Sequence, residues 1–256
     1  MPFWQWQPGS TPESFALPQR LGSFALTETP GIYIGAFEDG FADFAPATGA
    51  FELRAPVTAG HRHLRFNDGR VDRSGTFWAG SMAEARGEPR GSLWRFAGGD
   101  RATAVLNAVE IPNSLCWSCD GTQMYFADSP RQTIWRYAFD AERGPVGPPE
   151  IFATTTGDCY PDGSCIDVED HLWNAQWGAG EVVRYRPDGS IERRLSLPVS
   201  QPTCPAFGGP DLDLLFVTTA RSGLSPGQLA TQPLAGAMFV FETGITGLPE
   251  VICTTR

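Results

Sequence analysis

Five stretches of this chain repeat one order of signals: an apolar run, a polar turn, an aromatic-rich run, then a run carrying an aromatic or Arg before the next turn. They are IYIGAFEDGFADF from Ile32; RVDRSGTFWAGSM and GSLWRFAGGD from Arg70; LCWSCDGTQMYFADS and QTIWRYAFDAERG from Leu115; CIDVEDHLWNAQWGAG and EVVRYRPDGS from Cys165; and PAFGGPDLDLLFVTTARSG and GAMFVFETG from Pro205. Turns near Ser74, Asp120, Glu169 and Pro210 recur every 40 to 50 residues or so, the length of a four-stranded propeller blade. TFWAGSM, MYFADS and HLWNAQW alternate as strands packed between neighbouring sheets do, and a helical period fits none of these runs. Only Pro226 to Ala235 can hold a helical turn, which Pro233 cuts off. Gly 29 and Pro 22 are spread along the chain as turns would be, and hydrophobic residues at 41% exclude disorder. The chain is expected to be all-β, a single propeller domain over residues 1–256.

Counting blades leaves a deficit. Phe3-Trp4-Gln5-Trp6 and Ser14-Phe15-Ala16-Leu17 supply two strands, half a blade, ahead of the repeats. An open ring would expose unpaired edges. Either roughly one blade's worth of chain belongs upstream, or closure is improvised from the C-terminal segment.

Charge excludes several functions. Lys plus Arg is 19 against Asp plus Glu 29, a net charge of −10, with no basic stripe, so nucleic acid is not an expected partner. Apolar stretches are interrupted well before the roughly 18 residues of a membrane span. MPFWQWQPGS has neither a basic n-region nor an uninterrupted apolar core. These features predict a cytoplasmic protein with no membrane contact. Cys116 and Cys119 form a C-x-x-C, but odd spacing in a strand puts the side chains on opposite faces and no second pair completes four ligands. They read as buried, reduced thiols. His61, His63 and His171 lack an H-E-x-x-H or a Cys/His partner set. No G-x-S-x-G elbow precedes a helix, and no Walker motif or dinucleotide fingerprint is present.

Three polar segments interrupt successive repeats: Arg65-Phe66-Asn67-Asp68-Gly69-Arg70-Val71-Asp72, Ile111-Pro112-Asn113-Ser114-Leu115 and Tyr160-Pro161-Asp162-Gly163-Ser164. Each also reads as a solvated turn. Their phase supplies the functional alternative, because Asn67, Asn113 and Asp162 each stand just before the innermost strand of consecutive repeats. Oxygen ligands converging from several blades suit a hard divalent cation.

At these residues the chain resembles the regucalcin/gluconolactonase (senescence-marker-protein) family of sugar lactonases. The matching runs are RFNDGRVDRSGTFWAGSM (Arg65 to Met82), PNSLCWSCDGTQMYFADS (Pro112 to Ser129), YPDGSCIDVEDHLWNAQWGAGEVVRY (Tyr160 to Tyr185) and CPAFGGPDLDLLFVTTA (Cys204 to Ala220), with GSFAL (Gly22 to Leu26) and EDGFADFAPATG (Glu38 to Gly49). The resemblance implies a six-bladed β-propeller, here lacking the inner strands of the first blade, and one divalent cation (Ca, Zn, Mg, Mn or Fe(II)). By position, Asn113 and Asp162 resemble metal ligands, Arg65 and Asn67 a substrate-binding pair, and Glu84 an acidic residue touching substrate. The family's third metal ligand, a Glu in an early G-E-x-P-x-W motif, has no counterpart, and Ser114 replaces the usual Gly after the ligand Asn, which a negative φ would accommodate.

The implied activity is metal-dependent hydrolysis of a gluconolactone- or arabonolactone-type lactone to the aldonic acid. The metal polarises the carbonyl, Asp162 takes a proton from the attacking water, and Arg65 and Asn67 orient the sugar. Two alternatives are a non-catalytic relative with an incomplete metal site, binding a small ligand or partner, and an interaction scaffold that uses its rim. Loops Ala83 to Arg90 and Gly157 to Tyr160 are expected to select the sugar. Oligomeric state is left open.

Overall fold

The computed structural model describes residues 2–85 and 90–254, which divide into two compact units. The chain is all-β and of propeller class. In the unit of residues 1–111 and 250–256, β1 (Pro2–Gln5) and β2 (Glu13–Ala16) form a two-stranded ribbon. Two four-stranded antiparallel sheets follow: β3 (Leu21–Leu26), β4 (Tyr33–Phe37), β5 (Gly40–Ala45) and β6 (Ala50–Ala55), then β7 (Leu64–Val71), β8 (Phe77–Ala83), β9 (Gly91–Phe96) and β10 (Ala102–Val109).

The unit of residues 112–249 holds β11 (Pro112–Trp117), β12 (Gln123–Asp128), β13 (Thr133–Asp140) and β14 (Gly144–Thr154) in one sheet. A second contains β15 (Tyr160–Ile166), β16 (Leu172–Trp177), β17 (Glu181–Tyr185) and β18 (Ile191–Ser196). The last has three strands, β19 (Pro202–Gly208), β20 (Leu214–Thr219) and β21 (Phe239–Glu242), with the short helix α1 (Pro226–Thr231) between β20 and β21. No helix among the described residues is long and apolar enough to cross a membrane.

Burial within a sheet follows the sequence pattern. Every residue of β11 is buried, as are five of the six in β16, whereas most of β14 is exposed and β18 alternates. Strands covered on both faces need near-continuous apolar residues, and the fourth strand needs them on one face at most. Two sheets share a buried frame at one spacing. Asp72 accepts bonds from the Ser74 and Thr76 amides and the Trp78 indole, and Asp167 does so from Glu169, His171 and Trp173. One carboxylate thereby satisfies a tight turn and the indole of the strand after it.

Six full blades are not matched: five blade-type sheets stand among the described residues. The expected half-blade is the β1–β2 ribbon, whose Phe3 packs edge-on against Phe24 and Phe44. The fifth repeat, expected to be complete, is three-stranded. Its continuation, GITGLP, supplies two glycines and a proline where a fourth strand would need rigid donors, and makes an isolated bridge from Gly247 to Asp167. In the first unit, Cys253 bridges Thr27 in parallel and its amide donates to the Leu26 carbonyl. The cysteines are all free, but Cys119 is exposed, contrary to the expected burial, because it lies in the turn beyond β11.

Candidate functional site

The polar segments are not turns before strands; they lie inside β7, β11 and β15, each at a bulge. Phe66 pairs with Ser81 and Gly69 with Ala79, so Asn67 and Asp68 share one opposing position. Ser114 and Leu115 do the same between the Asn113–Ala127 and Cys116–Tyr125 pairs, as do Asp162 and Gly163 between Pro161–Gln176 and Ser164–Asn174. An extra residue breaks the two-residue alternation and re-aims a side chain. The bulges also correct the expected phase: Ser114, and not Asn113, is the structural counterpart of Asn67 and Asp162.

In the first unit, Arg65, Asn67 and Glu84 come together. Arg65 Nη1 donates to Asn67 Oδ1 at 2.9 Å and to the Phe66 carbonyl at 3.0 Å, while its Nε lies 3.8 Å from Glu84 Oε1. Burial lowers the Arg65 pKa, opposed by the charge of Glu84. Arg20, which the sequence reading did not single out, ion-pairs with Glu84 from the residue before β3. Nothing in its local sequence, LPQRLGS, marks it; only folding brings it to Glu84. Of the loop Ala83 to Arg90, residues 86–89 lie outside the described residues.

In the second unit, β11 and β15 hold Asn113 and Asp162 through a short chain of bonds. Ser129 Oγ donates to the Pro161 carbonyl at 2.7 Å, so its single proton is used and it accepts from Asn113 Nδ2 at 2.8 Å. This fixes the amide with its nitrogen toward Ser129 and its oxygen on the opposite side. The Asp162 carbonyl accepts from Ser114 Oγ at 2.7 Å and from Asn174 Nδ2 at 3.0 Å, and its carboxylate Oδ1 accepts from the Gly163 amide at 3.0 Å. Gly163 is required here: a Cβ would stand 2.8 Å from Cys204 Sγ and 2.9 Å from the Thr203 carbonyl of β19. Ser129 and Asn174 were also missed. Asn174 had a signal, a polar residue in the buried run LWNAQW.

Among the described residues no group of three His, Cys, Asp or Glu side chains is placed to hold a metal ion. Asn113 and Asp162 carry donor types that suit a hard divalent cation. Their donors are an amide oxygen with a fixed orientation and a carboxylate, hard oxygens of the kind a divalent cation takes, carrying one negative charge between them. Ser114 has φ 58°, not the negative value that would have accommodated a side chain easily.

Residues 2–221 match the family model described as the SMP-30/Gluconolactonase/LRE-like region. The chain is 36% identical over 237 residues to the 6-deoxy-6-sulfogluconolactonase of Pseudomonas putida, covering 91% of this chain and 80% of that protein. It is 38% identical over 249 residues to the L-arabinolactonase of Azospirillum brasilense, covering 94% and 80%. A solved structure of regucalcin from Agrobacterium tumefaciens, described as a calcium-binding protein, superposes with a TM-score of 0.89 at 36% identity, over 95% of this chain and 82% of that one. Lactonases are hydrolases acting on ester bonds. The collinear match over most of the sequence makes this chain a member of the SMP-30/gluconolactonase/LRE-like family.

Proposed function

We propose that the chain is a metal-dependent sugar lactonase that opens a gluconolactone- or arabonolactone-type ring to the aldonic acid in the cytoplasm. The observation that carries this reading is the restraint on Asp162 and Asn113: the Asp162 backbone carbonyl is held by Ser114 and Asn174, and the Asn113 amide by Ser129, which also bonds the carbonyl of Pro161 next to Asp162. Sugar lactonase names among the relatives support the reaction class. Six free cysteines suit a reducing compartment.

In this reading Asp162 accepts a proton from the attacking water, a role that requires the carboxylate to stay ionised and fixed. Arg65 and Asn67 bind the sugar's hydroxyl and ring oxygens; the bond between them fixes the guanidinium plane, so its remaining donors form a preset fork. Glu84 supplies an acceptor for a sugar hydroxyl, with Arg20 restricting its position. A divalent cation held by Asn113 and Asp162 would supply Lewis-acid polarisation of the lactone carbonyl.

The test follows acid release from glucono-, arabono- and sulfoglucono-lactones in a weakly buffered indicator assay, with and without a chelator and then restored Ca²⁺, Mn²⁺ or Zn²⁺. Metal-dependent turnover that Asp162→Asn reduces at least about a hundredfold is expected. Unchanged turnover in that variant refutes the assignment. A second reading, a non-catalytic relative, is favoured by the single charge of the Asn113–Asp162 pair. It predicts protein purified without bound metal and inert toward all three lactones.

A further inference from the structure

The buried hydrogen bonds behind Asp162 carry a consequence that rests on the lactonase reading. Ser114 adopts φ 58°, a conformation in which glycine is unstrained and serine is not. It is fully buried, and its hydroxyl reaches from β11 to the Asp162 carbonyl in β15 at 2.7 Å. Asn174, also fully buried, has two amide protons facing four acceptors. These are Ser114 Oγ at 3.0 Å, Ser164 Oγ at 3.0 Å, the Asp162 carbonyl at 3.0 Å and the Gly163 carbonyl at 3.4 Å. Two protons cannot serve four acceptors. Ser114 donates to the Asp162 carbonyl, so that oxygen keeps a donor of its own however Asn174 shares its two protons among the four acceptors.

We infer that Ser114 is a positioning residue: its hydroxyl ties the Asp162 bulge to the strand carrying Asn113 and sets the spacing of the pair that takes the cation and the water's proton. A glycine there would relieve the strain but would have no hydroxyl to give.

The test separates backbone from hydroxyl. Ser114→Gly removes both the strain and the hydroxyl; Ser114→Ala removes only the hydroxyl. Thermal midpoints should therefore diverge, with Ser114→Gly melting above Ser114→Ala. Turnover and cation affinity should fall together: kcat by about threefold to tenfold in both variants, with KM nearly constant, as expected for one lost hydrogen bond. The dissociation constant for Mn²⁺, measured by calorimetry without lactone, should rise by a similar factor in both. Wild-type kcat and Mn²⁺ affinity in Ser114→Gly would overturn the inference, because the residue would then matter only for its backbone. If the wild-type protein hydrolyses no lactone, the lactonase reading fails and the clamp is judged on Mn²⁺ affinity alone. Affinity equal across the three proteins, or undetectable in all of them, overturns it.

Discussion

Replacing Asp167 by Asn tests whether one buried carboxylate holds its sheet together. Asp167 is fully buried. Its Oδ1 accepts from the amides of Glu169 at 2.9 Å and His171 at 3.1 Å; its Oδ2 accepts from Trp173 Nε1 at 2.7 Å and Arg184 Nε at 2.8 Å. Asn has almost the same shape but only one acceptor oxygen. The backbone amides are fixed by the turn, so the new NH₂ must face an indole N–H and a guanidinium whose side chain is 3% exposed. Breaking a buried pair on one side costs about 3 to 5 kcal/mol. Arg184 keeps Glu169 at 2.7 Å and Glu192 at 3.3 Å, which places the expected loss near the lower end, about 3 kcal/mol. For a chain of this size that is a fall in Tm of about 10 °C. Urea unfolding followed by tryptophan fluorescence should show a lower midpoint at unchanged slope. Asp72→Asn supplies the internal comparison. It leaves only the Trp78 indole, 2.8 Å from the carboxylate, facing the amide nitrogen, and should cost about 2 kcal/mol. A loss below about 1 kcal/mol for Asp167→Asn, or a larger one for Asp72→Asn, would refute the reasoning.

Three further outcomes are expected. Arg65→Lys, which loses the planar fork that holds Asn67, should raise KM about tenfold with a smaller change in kcat, as read in the acid-release assay; an unchanged KM would remove Arg65 from substrate binding. Hydrogen bonds from Arg184 hold Glu169 below its ordinary pKa of 4.5; at Glu192 burial pushes upward, but bonds from Arg184 and Arg193 prevail and the net shift is also downward. The stability these carboxylates contribute is therefore complete above their ordinary values and lost as the pH falls through the lowered ones. Glu169→Gln/Glu192→Gln should flatten the acid limb of Tm against pH and leave the neutral plateau's shape unaltered. Gly163→Ala should lose stability and lactone turnover together, because its Cβ would meet Cys204 and Thr203 closer than any real Cβ contact; full retention of both would show that β15 and β19 can separate at that point.

The repeat period and the apolar runs were sufficient to define an all-β chain of successive blade-like sheets, because strand burial is written locally as alternating or continuous hydrophobicity. The same runs located Asn67, Asn113 and Asp162, and ordered them by repeat. Their exact phase was not legible. A bulge inserts one residue into a strand without any mark that distinguishes Asn-Asp-Gly or Pro-Asp-Gly from an ordinary turn, so those segments read as turns while the structure holds them in β7 and β15. The fifth sheet was overcounted for a related reason: GITGLP follows a good strand pattern but cannot supply a rigid ladder.

By itself, then, the sequence determined the apolar strands of each repeat, which residue types carry oxygen donors, and the family. Tertiary structure alone decided that Arg20 meets Glu84, that Ser129 spends its proton on Pro161 and so orients Asn113, and that Ser114 and Asn174 converge on one carbonyl. The physical reason is distance along the chain. Propensity and periodicity act over a few residues, whereas these bonds join groups 12 to 64 positions apart, and their geometry exists only once neighbouring strands have packed.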